Sequence, residues 1–360
     1  MRKPLYLLFA ILFFCSHDLY IKMDTYFLQP NQEAILSLYN GTFERSENSI
    51  ARDRMLDASI ITHGERTAIS PDQWEDQDST ITQLTFNTGR EGTYVTGVST
   101  KARNIELIAE KFNDYLKHDG VLDMLQERSN NGLLNEDAVE SYEKHVKAIY
   151  QVGNLKTKDW STALNYPIEF VPMENPYEKF SGETLEVQLL LHGQPLSNQP
   201  VYANHVKNAH ANWLEDHGHK HEHGDGHDHT HEHDGEDHSH DHAHSDSKEH
   251  NHSDNIETGD SHTHTSGQQL RTNDEGRVLV DLAEDGIYYL RTIYMTRVTD
   301  DDTLTHRSKW ATLTFEVTHK HGTDTHTHDH DHEHNIPTWV FVLGSFLVVG
   351  VLFFIFRKKK

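Results

Sequence analysis

The sequence predicts a mainly β protein: an immunoglobulin- or prealbumin-like β-sandwich ectodomain with a two-helix insertion, a disordered histidine-rich insertion and one C-terminal transmembrane helix. Three observations lead to this prediction. Short runs rich in β-branched and aromatic residues recur between turns, as they do in sandwiches. Residues 217–264 hold 16 histidines and 13 acidic residues, and such a polar segment cannot bury enough surface to fold. Residues 336–356 are 21 uncharged residues, enough to cross a bilayer.

The composition narrows the classes of function. The 57 acidic and 32 basic side chains give a formal net charge of −25 with neutral histidine, which argues against a nucleic-acid partner. The one cysteine, Cys15, lies in an apolar N-terminal run, so disulfides and cysteine-ligated zinc are excluded. Because there are 31 histidines, the net charge is expected to respond strongly to pH and to bound metal.

Residues 1–16 have the pattern of a secretory signal peptide. Arg2 and Lys3 precede an apolar stretch at 5–14 that is too short to span a bilayer comfortably. We predict cleavage before His17. A lipoprotein cut before Cys15 is the alternative, although Phe14 stands where such a site normally has a small residue.

The first half of the ectodomain divides into a β region at 17–100 and a helical segment at 101–153. Alternating runs at 19–23, 33–39 and 80–86 predict antiparallel strands. Apolar residues then fall on one helical face at 105–116 and again at 138–150. This spacing predicts two amphipathic helices, joined through residues 120–132.

The second half predicts a C-terminal β-sandwich at 154–318, interrupted by the histidine-rich insertion at 215–266. Strand patterns occur at 168–172, 183–191, 201–203, 277–282, 286–293 and 310–317. A juxtamembrane tract at 319–335, the transmembrane helix at 336–356 and a basic tail at 357–360 come next. The basic tail predicts a single-pass protein with a cytoplasmic C-terminus and a periplasmic ectodomain.

The histidine tracts are the strongest candidates for metal binding. Imidazoles in a His-x-His pattern, with carboxylates between them, suit Ni²⁺, Co²⁺ or Zn²⁺, loosely bound and quickly exchanged. A solubilising or pH-responsive spacer is the alternative. The predicted ligands of the first tract are His217, His219, His221, His223, His227, His229, His231, His233, His238, His240, His242, His244, His250, His252, His262 and His264. Those of the second tract are His319, His321, His326, His328, His330, His332 and His334.

An ordered metal site is also predicted at the mature N-terminus. After cleavage, the α-amino nitrogen and a ring nitrogen of His17 could chelate one ion, with Asp18 beside them and His63 brought in by the fold. A solvated loop histidine is the alternative for His63. No hydrolase, zinc-protease, nucleotide or dinucleotide motif occurs, so we assign no catalytic residue and expect no enzyme.

The order of several short motifs resembles a known family. These are YPIEFVPMENPY at 166–177, GQPL at 193–196, PVYA at 200–203, RTNDEGRV at 271–278, GIYYLR at 286–291 and WATLTF at 310–315, with HDL at 17–19. Together they resemble the NikM-like periplasmic family associated with nickel or cobalt uptake, domain of unknown function 4198. The resemblance implies an extracytoplasmic role in acquiring a transition metal.

From these features we expect a membrane-anchored protein that captures or buffers Ni²⁺, Co²⁺ or Zn²⁺ and assists its uptake. It has no permease of its own, so a metal permease or an outer-membrane metal receptor would be its partner. The competing class is a surface interaction protein that binds protein or glycan and uses its histidines as a pH-responsive linker. A metalloenzyme would require a pocket with convergent ligands.

Overall fold

Strands dominate the part of the chain that the computed structural model describes, residues 17–207 and 266–320. The mainly β prediction is therefore confirmed. In chain order the strands are β1 (Asp18–Lys22), β2 (Phe27–Leu28), β3 (Glu33–Gly41), β4 (Met55–Thr62), β5 (Glu65–Ala68), β6 (Glu75–Gln77), β7 (Ile81–Asn87), β8 (Gly92–Thr100), β9 (Arg103–Leu107), β10 (Ala138–Val152), β11 (Ile168–Pro172), β12 (Glu183–Leu191), β13 (Gln194–Pro195), β14 (Pro200–Val206), β15 (Gln268–Arg271), β16 (Arg277–Leu282), β17 (Gly286–Arg297) and β18 (His306–Val317). The α-helices of these residues are α1 (Ala109–His118) and α2 (Leu122–Asn130).

The strands form three open sheets. A central sheet has the order β15-β14-β17-β18-β10-β8-β4-β5, with β2 and β9 also paired to β10. One outer sheet is β1-β3-β7-β6, and the other joins β11, β12 and β13 with β16 on β12. A β-sandwich fits this layered arrangement.

The two outer sheets cover opposite faces of the central sheet. On one face, Thr312 and Thr314 of β18 donate hydrogen bonds to carbonyl oxygens of β1 at 2.9 and 2.8 Å. On the other face, Lys147 of β10 lies beside Leu313 in the register and reaches Glu169 of β11 at 3.0 Å. Side chains of neighbouring positions in a strand point to opposite faces, so the central strands are covered on both sides.

The second predicted helix is wrong, because residues 138–152 form the long strand β10. Every residue from 144 to 152 is buried. A strand buried on both faces loses the apolar and polar alternation that identifies a strand, so its apolar positions matched a helical period by coincidence. The predicted loop at 120–132 instead contains α2.

The first predicted helix is confirmed in position, shifted towards the C-terminus. Its apolar face, with Phe112 and Leu116 buried, packs against Ile293 and Trp310 of the central sheet. Residues 103–107, which we assigned partly to this helix, pair with β10 as strand β9. Pairing with a long neighbouring strand overrides a weak local helical pattern.

Two strand pairings of the described chain depart from the antiparallel pattern that we predict, because β2 and β18 both run parallel to β10. Strand β10 runs parallel to β18, with Glu140 opposite His306 and Ala148 opposite Thr314. Parallel neighbours need a long connection, and here more than 150 residues separate the two strands in sequence. The parallel pair places the C-terminal ends of β10 and β18 at the same end of the sheet.

Candidate metal-binding end of the central sheet

Both histidine tracts attach to the same end of the central sheet. The first tract follows β14 and precedes β15, and these strands are paired neighbours, with Ala203 opposite Gln268. Val206 at the end of β14 lies opposite Ile287 of β17, and Glu316 near the end of β18 lies opposite the same residue. Two strand spacings, about 10 Å, therefore separate the roots of the tracts. We call this edge, where β14 and β18 end, the tract end.

The turn between β16 and β17 contacts the root of each tract. Lys207 Nζ lies 2.9 Å from Glu284 Oε2, and His205 Nε2 lies 3.9 Å from the same oxygen. His319 Nδ1 forms an ion pair with Asp285 Oδ2, so the predicted ligand His319 has a carboxylate neighbour. These acidic side chains were missed at the sequence level, because a Glu-Asp-Gly turn is usual at a hairpin.

Electrostatics favours the charged form of both carboxylates. The hydrogen bond and charge of Lys207 hold the pKa of Glu284 below its usual value. Burial raises the pKa of Asp285, but the Ser181 hydroxyl and His319 outweigh this effect and leave it lowered. The tract end therefore carries two ionised carboxylates, each beside a histidine.

His63 also lies at the tract end, on the turn between β4 and β5. The N–H groups of His63 and Gly64 donate to the carboxylate of Asp159 at 2.8 and 2.7 Å. The His63 Nε2 atom is 2.9 Å from the carbonyl oxygen of Glu91. Since a carbonyl can only accept, Nε2 is the donor in this contact. Three strand spacings, about 14 Å, separate β4 from β18.

His17 lies at the opposite end. Its Nε2 atom is 3.0 Å from Glu47 Oε2, and its carbonyl oxygen accepts a hydrogen bond from Lys144 Nζ. The backbone N–H of Lys144 bonds to Thr100 at the end of β8, whereas the His63 ring lies against Gly92 at its start. Eight residues of extended strand span about 26 Å, so the predicted site shared by His17 and His63 is wrong.

Asp18, predicted beside that site, is part of a buried ion pair. It is 2% exposed, and its Oδ2 atom lies 2.8 Å from Nε of Arg291, which is equally buried. The Tyr20 hydroxyl donates to the same oxygen at 3.1 Å. Burial lowers the pKa of Arg291, but the Asp18 carboxylate outweighs it and raises the pKa above its usual value. Asp18 therefore anchors β1 to the central sheet.

Within residues 17–207 and 266–320, no group of three or more histidine, cysteine, aspartate or glutamate side chains has a metal-binding arrangement. The predicted ligands at 217–264 and 321–334 lie outside the described residues, as does the predicted transmembrane helix at 336–356. The helices of the described chain are all too short or too polar to cross a membrane.

Some solved structures are similar to this chain at a low level. The D0-D1 domain of Intimin is 9% identical, with a TM-score of 0.17, and the match covers 84% of this chain and 97% of that one. Salmonella alpha-2-macroglobulin reacted with methylamine is 7% identical, with a TM-score of 0.19, over 83% of this chain and 15% of its own. Such scores carry no conclusion about fold or function. No curated protein matches the chain significantly.

A family model does match. It covers residues 15–228, from just before His17 to the beginning of the first histidine tract. This range is more than half of the chain, and it includes β1 to β14 and both helices. The chain belongs to the family described as domain of unknown function DUF4198.

Proposed function

We propose that this chain is an extracytoplasmic transition-metal-binding protein that captures or buffers Ni²⁺, Co²⁺ or Zn²⁺ and assists its uptake through a partner transporter. The observation that carries this proposal is the attachment of both histidine tracts to one end of the central sheet. The NikM-like character of the family, the immunoglobulin- or prealbumin-like subtype of the sandwich, the signal peptide and the C-terminal membrane anchor belong to the same proposal.

The placement of the roots supports cooperation between the tracts. A polar chain of 58 residues, the length from 208 to 265, has a free end-to-end distance of about 40 Å. That distance is several times the spacing of about 10 Å between the roots. Imidazoles of the first tract would therefore be able to reach His319 at the root of the second, and two weak ligands held together act at a high effective concentration.

The carboxylates of the tract end support the same role. Glu284 and Asp285 stand at the roots, and His205 and His319 are already beside them. Carboxylate and imidazole together form a donor set that suits Ni²⁺, Co²⁺ and Zn²⁺. The tract end would then supply metal ligands in fixed positions, whereas metal ions would exchange quickly among the histidines of the tracts.

A separate site at a processed N-terminus remains part of the proposal. Glu47 Oε2, 3.0 Å from the His17 ring, would add a carboxylate to the α-amino and imidazole nitrogens. His63 and Asp18 are not members of this site.

The test is calorimetric titration of the full chain in detergent with Ni²⁺, Co²⁺ and Zn²⁺ at pH 7.5. The matched control keeps the length and replaces the 16 histidines of 217–264 by glutamine. We expect the intact chain to bind several ions weakly and the control to lose most of that capacity. If the intact chain binds none of the three ions, or the control binds as many, the proposal fails. The first of these results favours the surface interaction protein instead.

A further inference from the structure

A small cleft lies between the helical hairpin and strands β14 and β17. Its volume is about 40 Å³, and its lining includes Asp119, Gly120, Asp123, Met124, Tyr202 and Met295. Ile293, which also lines it, is seven positions along β17 from Gly286 at the tract end, about 23 Å away. The cleft is therefore distinct from the tract end, and a ligand could bind in it whether or not the tracts bind metal.

The carboxylate of Asp119, which lines the cleft, has one oxygen without a hydrogen-bond donor within the described chain. The residue is 3% exposed. Its Oδ1 atom is fixed by His118 Nδ1 at 2.8 Å, but its Oδ2 atom has no hydrogen-bond partner within the described chain. A buried carboxylate oxygen without a donor costs free energy. A ligand that donates a hydrogen bond there would remove that cost.

The neighbouring cations are held by other acceptors. Arg271 donates from both terminal nitrogens to the two oxygens of Asp123, at 2.8 and 2.9 Å. Arg291 donates to the main-chain oxygen of Asp119 at 2.8 Å and pairs with Asp18. Asp123 and Arg291 therefore already have partners of opposite charge, whereas Asp119 Oδ2 is without a donor within the described chain.

The geometry points to this cleft as a binding site for a primary ammonium group, with Asp119 Oδ2 as the acceptor. An ammonium has three donors and no acceptor. Two further oxygens are at hand, because the Tyr202 hydroxyl donates to the carbonyl of Gly120 at 2.8 Å. The thioethers of Met124 and Met295 suit the alkyl chain of an amine. Divalent ions are bound by several charged ligands, whereas here a single carboxylate oxygen of the described lining lacks a donor.

The methionines that line the cleft provide a local readout. The full chain, labelled with ¹³C in its methionine methyl groups and kept in detergent, is titrated with propylammonium at pH 7.5 and followed by NMR. We expect saturable shifts of the Met124 and Met295 signals, with Met23 and Met55 unchanged because they lie in the main core. Propanol, the uncharged analogue, should shift neither signal.

Two variants locate the acceptor. Asp119→Asn keeps the oxygen that His118 contacts and removes the charge, and it should weaken propylammonium binding by about tenfold or more. Asp274→Asn, in an exposed turn, should leave binding unchanged. The proposal is overturned if propylammonium gives no saturable shift, if propanol binds equally well, or if Asp119→Asn binds as the wild type does. The propanol comparison needs no variant, so it remains decisive if Asp119→Asn does not fold.

The same titration identifies the source of the ammonium. Nα-acetyl-lysine methylamide carries this group on a protein-like side chain, whereas propylammonium represents a free small amine. Tighter binding of the lysine derivative indicates a lysine of a partner protein, and tighter binding of propylammonium indicates a free amine. Either result supports the cleft as an ammonium site.

Discussion

Removal of the first histidine tract is expected to leave the β domain folded and slightly more stable. The change deletes residues 208–265 and joins Lys207 to Ser266 through two glycines. The strands on either side are already paired, with Ala203 opposite Gln268, and the Asn204 side chain donates to Ser266 Oγ at 3.2 Å. The deletion leaves every described core residue in place.

The size of the effect can be worked out from loop closure. In the intact chain, 64 residues connect the last paired positions of β14 and β15, and in the variant about eight remain. If the tract is as unstructured as its composition predicts, a loop eightfold shorter costs about 2 kcal/mol less to close. For a domain of this size, that corresponds to a rise in Tm of about 4–8 °C.

The assay is differential scanning calorimetry of both chains in EDTA, followed by titration with Ni²⁺. We expect a higher Tm without metal, together with a large loss of metal capacity. A fall in the metal-free Tm of several degrees would show that the tract stabilises the domain through contacts of its own. The modular picture, in which the sheet serves as a scaffold for a separate metal-binding segment, would then be refuted.

The remaining predictions concern buried charge and His17. Lys147 and Glu169 form a buried pair at 3.0 Å, so Glu169→Gln should lower Tm by roughly 10 °C, because an unpaired buried charge costs about 3–5 kcal/mol. Replacing both residues by methionine and leucine should restore only part of the loss, because Glu169 also accepts hydrogen bonds from the backbone N–H groups of Leu164 and Tyr166; calorimetry measures both variants. Burial raises the pKa of Glu140 to about 7, so the folded state binds the extra proton and the stability from this group is lost as the pH rises through 7. Glu140→Gln should therefore gain up to about 3 kcal/mol relative to the wild type between pH 5 and pH 8, and urea unfolding at each pH would show no trend if the pKa were ordinary. In a chain processed to begin at His17, His17→Ala should remove any tight Ni²⁺ site and His63→Ala should not. Titration of each variant with Ni²⁺, after deletion of the first tract, measures this difference.

Strands with one solvent-facing side were predictable. In β16, Val278, Val280 and Leu282 are buried and the residues between them are more exposed, so the alternation in the sequence matched the pleat. Strand β10 was not predictable in this way, since the outer sheets cover both of its faces. The burial of Lys147 among apolar residues has no local signature either, because its partner Glu169 comes from another sheet.

The candidate sites, like the strands, were predictable from the sequence only in part. The tracts are identified by composition alone, but their attachment to one end of the sheet depends on the pairing of β14, β17 and β18, which is non-local. The pairing of His17 with His63 was wrong for the same reason, since their separation is set by the length of β8. The Asp119 cleft had no sequence signal, because its lining comes from a helical hairpin and two strands that are distant in the chain.

The two ends of the central sheet thus carry different kinds of charged side chain. At the tract end, Glu284 and His319 are exposed, and His205 and Asp285 are partly buried. At the other end, Asp18, Arg291 and Lys144 are buried, and their contacts fix β1 and the helical hairpin to the sheet. Arg291 of this buried group lies five positions along β17 from Gly286 at the tract end, about 17 Å away, which is about twice the screening length of about 8 Å at physiological salt. A cation bound by the described side chains of the tract end would therefore change the charge there without weakening the ion pairs that hold the other end together.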